Sequence, residues 1–460
     1  MTDTICALAT ALGGAIGIIR ISGPQSLEIL SRVFQGSGDA LTYPANTIHY
    51  GHIVECDAVS HHPVPIDEVM VSIFKAPHSY TGEDCVEISC HGSRYILNKV
   101  LELLIANGCR MANPGEYTQR AYLNGKMDLS QAEAVADLIA STNQATHQLA
   151  MSQLRGGISS ELAVLRERLL RLTSLLELEL DFSDHEDLEF ADRSELVQLA
   201  QTIDSHVVRL AQSFEKGQAI KQGIPVAIVG KTNVGKSTLL NRLLKDDRAI
   251  VSDIHGTTRD TIEDTIELQG VTFRFIDTAG IRQTSDEIEQ IGINRTYAAI
   301  EKARIVLWLI DAQPDAEDIK EMQERCKDKS LIIVGNKSDL ESNYDAQIIK
   351  ISAKYGEGIE ALEQAIYQAA DIPTLSESDV IVSNARHYEA LNRAHSHLQR
   401  VLEGLGASHS QSTAFNSSLP PDLVAEDLRL TLDTLAEITG GQITTNEVLG
   451  NIFSRFCVGK

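Results

Sequence analysis

The residues best fitted to chemistry lie in one run, Val226-Ala227-Ile228-Val229-Gly230-Lys231-Thr232-Asn233-Val234-Gly235-Lys236-Ser237-Thr238. Gly230, Gly235, Lys236 and Ser237 stand in the spacing Gly-x-x-x-x-Gly-Lys-Ser of a phosphate-binding loop. Glycines let successive backbone N–H groups curl around phosphate oxygens, and Lys236 brings a point charge to the β and γ groups. The Ser237 hydroxyl is a Mg²⁺ ligand, and a helix starting there aims its positive end at the anion. An apolar strand, Pro225 to Val229, precedes the loop, and a helix, Thr238 to Leu244, follows it, which is the context the motif requires.

Three later segments select the nucleotide. Asp277-Thr278-Ala279-Gly280 ends the apolar strand Val271 to Ile276, so Asp277 is placed to hold Mg²⁺ through water and Gly280 to face a γ-phosphate. Asn336-Lys337-Ser338-Asp339 follows the buried strand Leu331 to Val334. The Asp339 carboxylate accepts from guanine N1 and N2, hydrogen bonds that adenine cannot donate there. Ser352-Ala353-Lys354 follows the strand Ile348 to Ile351 and offers a backbone N–H to guanine O6. Alone, each tetrapeptide is often a mere turn. In this order, each closing a strand, they set GTP at the carboxyl edge of a parallel sheet.

The chain around this site is long enough, at 460 residues, for about three domains. Its net charge of −24 argues against broad, nonspecific grip on nucleic acid, though a local basic site remains compatible with it. The start Met1-Thr2-Asp3-Thr4 lacks the layout of a signal peptide, and no uncharged apolar run approaches the ~18 residues of a membrane span. The seven cysteines are scattered without a Cys-x-x-Cys pair, as expected of reduced thiols in a cytoplasmic protein and not of a disulfide frame or zinc site.

Periodicity divides the rest. Strands are expected at Ala15 to Ser22, Val69 to Phe74 and Val86 to His91, with helices at Ser26 to Val33 and Ser93 to Ala106. Residues 1–119 thus read as an α+β domain. From there the apolar spacing turns helical over Leu129 to Ala140, Ala145 to Leu154, Glu161 to Leu180 and Ser194 to Phe214. It returns at Asn384 to Leu405, Asp422 to Thr439 and Asn446 to Phe456, with a Ser-rich loop ending in Pro420-Pro421 between the first two. The acidic run Asp181, Asp184, Glu186, Asp187 reads as a solvated connection, since no calcium-loop spacing accompanies it. The expected organisation is multidomain α/β plus α. A helical bundle, formed by 120–221 and 376–460, is interrupted by an inserted Ras-like doubly wound G domain at 222–375.

Further segments carry a family resemblance: Ile18-Ile19-Arg20-Ile21-Ser22-Gly23, Ser79-Tyr80-Thr81-Gly82-Glu83-Asp84, Pro114-Gly115-Glu116-Tyr117-Thr118, Arg120 to Lys126, and the closing Phe456-Cys457-Val458-Gly459-Lys460. With the GTP motifs, and over essentially the whole chain, they resemble the MnmE (TrmE) family of tRNA-modification GTPases. The family more often ends Cys-Ile-Gly-Lys, a conservative difference. The resemblance implies a homodimer formed through the N-terminal domain, which binds a 5-formyltetrahydrofolate or related tetrahydrofolate. It also implies a flavin- and NADH-using partner, MnmG (GidA), in a heterotetramer. Together the two install an aminomethyl-type (carboxymethylaminomethyl) group at C5 of the wobble uridine of certain tRNAs. On residue type alone Arg20, Glu87, Lys126 and Lys460 read as surface ion-pair residues. The resemblance assigns them to folate, and assigns Cys457, otherwise an unremarkable lone thiol, to the modification chemistry.

The hydrolytic step must differ from that of Ras. The position after Asp-x-x-Gly, where Ras-type proteins orient water with glutamine, is Ile281, which can neither donate nor accept a hydrogen bond. By the resemblance Glu289 is the candidate base, although on type alone it is also a helix-start acid. The resemblance further implies a K⁺ ion in place of an arginine finger, held by Asn233 and by Ser252, Ile254 and Thr257 of the loop Ser252-Asp253-Ile254-His255-Gly256-Thr257-Thr258. Thr258 would join Ser237 on Mg²⁺, and loop ordering would couple hydrolysis to pairing of G domains. The competing expectation is a regulatory switch of the Era or Der ribosome-assembly type. Those proteins share the GTP motifs but append an RNA-binding module, not an N-terminal folate domain.

Overall fold

The structure, a computed structural model, describes residues 3–56, 62–181, 193–246, 264–276, 297–340, 344–371, 380–406 and 421–441, and in the tail 449, 452–454, 456 and 459. It forms two compact units: Met1–Ile139 with Gln153–Thr173 and Ala425–Lys460, and Ala140–Ser152 with Ser174–Val424.

The first unit opens with β1 (Ile5–Leu8), β2 (Ile16–Ser22), α1 (Ser26–Val33), β3 (Phe34–Gly36), β4 (Thr47–Cys56), β5 (Pro63–Phe74), β6 (Cys85–His91), α2 (Arg94–Ala106) and β7 (Arg110–Met111). These strands make one sheet in the order β3-β4-β5-β6-β2-β1-β7, antiparallel except for the β1–β7 pair. Alternation decides its faces. Ile19, Ile21, Val71, Ile73, Val86 and Ile88 join one apolar core with Ile29 and Leu30 of α1 and Leu97, Val100 and Leu104 of α2. The intervening positions carry Arg20, Glu87 and Ser72, aligned across three strands. The β4 strand is absent from the sequence expectation because His49, Gly51 and His52 break its apolar rhythm; ladders to β3 and β5 hold it. Likewise β5 begins at Pro63, ahead of the expected Val69.

Helices α3 (Glu116–Leu123), α4 (Leu129–Ala140), α5 (Gln144–Leu154), α6 (Gly157–Asp181) and α7 (Arg193–Gln222) follow. In the first unit, Leu129 and Ala132 of α4 pack with Leu449 and Phe453 of the tail, beside Tyr122 and Phe456. These tail residues belong to the apolar face expected of Asn446 to Phe456. Val448, on the same face, lies outside the described residues.

The second unit holds β8 (Ile224–Val229), α8 (Lys236–Asp246), β9 (Asp264–Leu268), β10 (Val271–Phe275), β11 (Ile305–Ile310), α9 (Ala316–Arg325), β12 (Ser330–Gly335), β13 (Ile349–Lys350), α10 (Ile359–Ala369) and α11 (Ala385–Gly404); α12 (Pro421–Thr439) begins in it and continues into the first. The sheet order is β13-β12-β11-β8-β10-β9, parallel except for the β9–β10 hairpin. The central β11, Ile-Val-Leu-Trp-Leu-Ile, is a continuous apolar run because both faces of a parallel sheet are covered. Helix α7 extends past the expected Phe214 to Gln222, and its Ile220 enters the core under β8. Helices α7 and α11, which flank the sheet in sequence, are joined by stacked Phe214 and Tyr388 and by Asp204, which takes hydrogen bonds from Gln399 and His395.

Candidate functional site

The apolar strand β8 ends at Val229, and the chain turns into α8 through residues 230–235. Two glycines make the turn possible. Gly230 (φ +150) and Gly235 (φ +100) take conformations that side chains resist. A Cβ at Gly230 would also lie 2.3 Å from the Leu309 carbonyl, and one at Gly235 2.3 Å from Asn336 Nδ2. Between them Val234 is buried and anchors the loop, while Asn233 is exposed at φ +60. Lys236 donates from Nζ to the Gly230 and Lys231 carbonyls at 2.6 and 2.7 Å, so the ammonium already lies at the mouth of the loop. Burial lowers its pKa. Ser237 and Thr238 open α8, half-buried and exposed respectively.

The base-selecting segments are tied to this loop through Asn336, which closes β12 and is buried. Its Nδ2 donates to the Val234 carbonyl at 2.8 Å, and its Oδ1 accepts from the Ala353 amide at 3.0 Å. One side chain thereby spans three sequence motifs. Asp339 is exposed, but its Oδ1 accepts from the buried Ser352 hydroxyl at 2.8 Å, which orients the carboxylate. Lys337 (φ +62) pairs with Asp311 at 2.8 Å, the Ser338 amide donates to Ile351, and Tyr344 donates from its hydroxyl to the Asn336 carbonyl at 2.7 Å. Lys354 Nζ lies 5.2 Å from the ring centre of Tyr355.

A second constellation lies in the first unit. Arg20 and Glu87 are cross-strand partners, with Nε and Nη2 donating to Glu87 Oε1 at 2.9 and 2.7 Å. The guanidinium carbon is 5.5 Å from the Tyr80 ring centre and 5.6 Å from that of Tyr117, within cation–π range. Tyr117 also donates to the Arg20 carbonyl, and Tyr80 pairs with Thr118. Arg20 Nη1 reaches the Gly459 carbonyl at 3.4 Å, so the tail is drawn to this pair. Lys126 instead donates to the Pro77 carbonyl.

A family model for the MnmE helical domain matches residues 129–457, and one for the GTP-binding protein TrmE N-terminus matches residues 4–126. The tRNA modification GTPase MnmE of Phocaeicola vulgatus is 53% identical over 504 residues, covering 100% of this chain and 99% of that protein. The chain belongs to the MnmE family. The same-named proteins of Bacteroides thetaiotaomicron (53% over 480 residues) and Flavobacterium psychrophilum (50% over 476 residues) each cover 100% of this chain and are themselves covered to 99%. A likeness to the G domain of the T. maritima FeoB iron transporter (22% identity, 32% of this chain, 99% of that chain, TM-score 0.22) is too slight to carry an argument.

For this MnmE-family chain the structure brings Asn233, Val234, Gly235, Lys236, Ser237 and Thr238 next to Asn336, Lys337, Ser338, Asp339, Ser352, Ala353 and Lys354. The expected sites at Ser252, Asp253, Ile254, His255, Gly256, Thr257, Thr258, Asp277, Thr278, Ala279, Gly280, Ile281, Glu289, Cys457 and Lys460 lie outside the described residues. Among the described residues no cluster of His, Cys, Asp and Glu is arranged to hold a metal. Cys6, Cys85, Cys90, Cys109 and Cys326 are free and buried, and burial pushes the Cys85 and Cys90 thiols up to about 12, away from reactivity. No described helix is long and apolar enough to cross a membrane. The supporting residues Asp311 and Tyr344 are missing from the sequence reading, and Tyr80 and Tyr117 stand in it only within motif segments, without a role, because their parts are tertiary and no local spacing announces them.

Proposed function

We propose that the chain binds and hydrolyses GTP, and that hydrolysis drives modification of the wobble uridine of tRNA. The observation that carries this reading is the Asn336 bridge, which ties the phosphate loop to the loop bearing Asp339 and to the Ala353 backbone. A phosphate-binding turn and a guanine-selecting carboxylate become one preorganised surface. The residues fit the nucleotide. Lys236 would exchange its two carbonyl partners for β- and γ-phosphate oxygens, and Asp339, steadied by Ser352, would accept from guanine. Amides of the loop and the first turn of α8 would take the remaining phosphate oxygens.

Ser237, half-buried at the start of α8, suits one Mg²⁺ ligand position, with Thr258 the proposed second. Asn233, whose exposed amide stands on the loop, suits K⁺ together with Ser252, Ile254 and Thr257. Bound there, these cations offset charge developing between the β- and γ-phosphates. Glu289 is the proposed base. In the N-terminal layer, Arg20 and Glu87 offer a cation and a carboxylate side by side, a pair suited to a tetrahydrofolate's glutamate tail and pterin edge, with Lys126 and Lys460 as further cations. Cys457 would serve the modification itself.

The reading includes a cytoplasmic homodimer working with a flavin-dependent MnmG-type partner. Its domains are 1–119, 120–221, 222–375 and 376–460, the second and fourth forming one helical body. The deciding experiment follows GTP turnover by the full chain, then wobble-uridine modification in the presence of partner, folate and tRNA. Absence of GTP turnover would sink the first half, and turnover without modification the second.

A further inference from the structure

We propose that Asn143 is a positioning residue for the nucleotide site, acting from helix α5 by fixing the turn of the β9–β10 hairpin. The inference rests on the GTPase reading and deepens it. By periodicity α5 belongs with the helices, yet its residues 144–152 fall in the same compact unit as the sheet that carries the phosphate loop. Its Ala145 and Leu149 are buried in one core with Ile266, Val271 and Phe273 of the hairpin and with Val226 and Ile228 of β8.

The contact is polar as well as apolar. The first amides of a helix lack intrahelical acceptors and must find them elsewhere. Asn143 Oδ1 caps the Thr146 amide at 2.8 Å, and the Ala145 amide donates across to the Gly270 carbonyl at 3.0 Å. With Oδ1 committed to the cap, the amide nitrogen Nδ2 of Asn143 donates to Thr272 Oγ1 at 2.7 Å. Asn143 is itself buried, so these bonds form with little competition from water. Gln269 (φ +50) and Gly270 (φ +79) make the two-residue turn with both angles positive that a tight hairpin favours. A side chain at Gly270 would press on Gln144, with a Cβ only 3.0 Å from the Gln144 Cβ.

This hairpin is where looseness would matter. Strand β9 forms the sheet edge, with β10 as its neighbour. Going backward, β9 leads to the segment bearing Thr258; going forward, β10 ends at Phe275, just ahead of Asp277. Both are positions proposed to serve the Mg²⁺ ion. The guanine loops follow β12 and β13, toward the opposite edge. Freeing the turn therefore disturbs the hydrolytic step and leaves base recognition in place.

The test uses the full chain and two variants that break the link from either side. Thr272→Val removes the acceptor in a near-isosteric way, while Asn143→Ser keeps an N-cap oxygen but is too short to reach Thr272. One buried hydrogen bond is worth a factor of about three to ten, so kcat for GTP should fall by that much in each variant. The dissociation constant for a fluorescent GDP should stay within about twofold, and hydrogen exchange at the Ala145 amide should quicken. Thr272→Ser, which keeps the hydroxyl, should retain the wild-type kcat, and the double variant should be no worse than either single one. Unchanged kcat in both variants, a parallel loss of GDP affinity, or additive effects would overturn the proposal. A wild-type chain that fails to turn over GTP would instead remove the GTPase reading beneath it.

Discussion

At the residue scale, specificity rests on what an oxygen can accept. Asp339 presents a carboxylate whose Oδ1 is steadied by Ser352, and an amide in its place would present a donor to guanine N1. Asp339→Asn should lower GDP affinity by about a hundredfold or more and raise that for the xanthine nucleotide, measured by competitive binding. Retained GDP affinity would mean that the base site is misplaced. Asn233 carries the second prediction at this scale. If K⁺ stands in for an arginine finger, hydrolysis should run about tenfold or more faster in K⁺ than in Na⁺ at matched ionic strength, and Asn233→Ala should erase most of the difference. Equal rates in the two salts would end the idea. Most of these groups are legible in the sequence because the phosphate loop and the Asn-Lys-x-Asp turn are local motifs with fixed spacing. The Asn336–Val234 and Ser352–Asp339 bonds are not, since each joins residues that only the folded sheet makes neighbours.

At the scale of elements, strands with strict alternation and helices with apolar three-and-four spacing could be read in advance, and α1 and α4 fall on their expected residues. Strand β4 and helix α3 escape such reading. In α3 the sequence is mostly polar, and ion pairs join the buried Tyr117 and Ala121 in fixing its place. Arg120, fully buried, reaches Glu116 at 3.0 Å, Glu83 at 3.1 Å and Asp3 at 2.9 Å, while Arg110 reaches Glu116 at 2.6 Å. Burial works to raise the Glu116 pKa, but Arg110, the Asn113 amide and Arg120 together outweigh it and hold that carboxyl below the usual glutamate range. A carboxyl depressed in the folded state lends stability near neutrality, and that stability is lost as pH falls through the ordinary range toward the folded value. Replacing Arg120 by Met takes the cation from half-buried Glu83, leaves buried Glu116 to Arg110 alone, and should cost up to about 3–5 kcal/mol. Thermal unfolding at neutral pH would show the loss, and the gap from wild type should narrow on acidification. A gap unchanged with pH would mean that Arg120 contributes by packing alone.

At the scale of the whole molecule, the two compact units divide the labour between them. The nucleotide loops lie in one, and in the other the tail reaches the Arg20–Glu87 pair through the Gly459 carbonyl. What fixes the tail is apolar: Phe453 is buried against Leu129 and Ala132 and lies beside Tyr122 and Phe456, with ring centres 6.5 and 5.1 Å away. Truncating such a ring costs about 3–5 kcal/mol of local packing, enough to release a short terminal segment without unfolding a sheet that has its own core. Phe453→Ala should therefore abolish tRNA modification while GTP hydrolysis stays within about twofold, because the phosphate loop belongs to the other compact unit and its Val234 packs in that unit's own core. Cys457→Ser should give the same split if its thiol takes part in the modification, and it should do so without lowering the melting temperature, which Phe453→Ala will lower. Both activities are to be measured on one preparation of each variant. Loss of hydrolysis along with modification would make the tail a structural brace for the entire chain, and survival of modification in both variants would leave the tail without a part in the reaction.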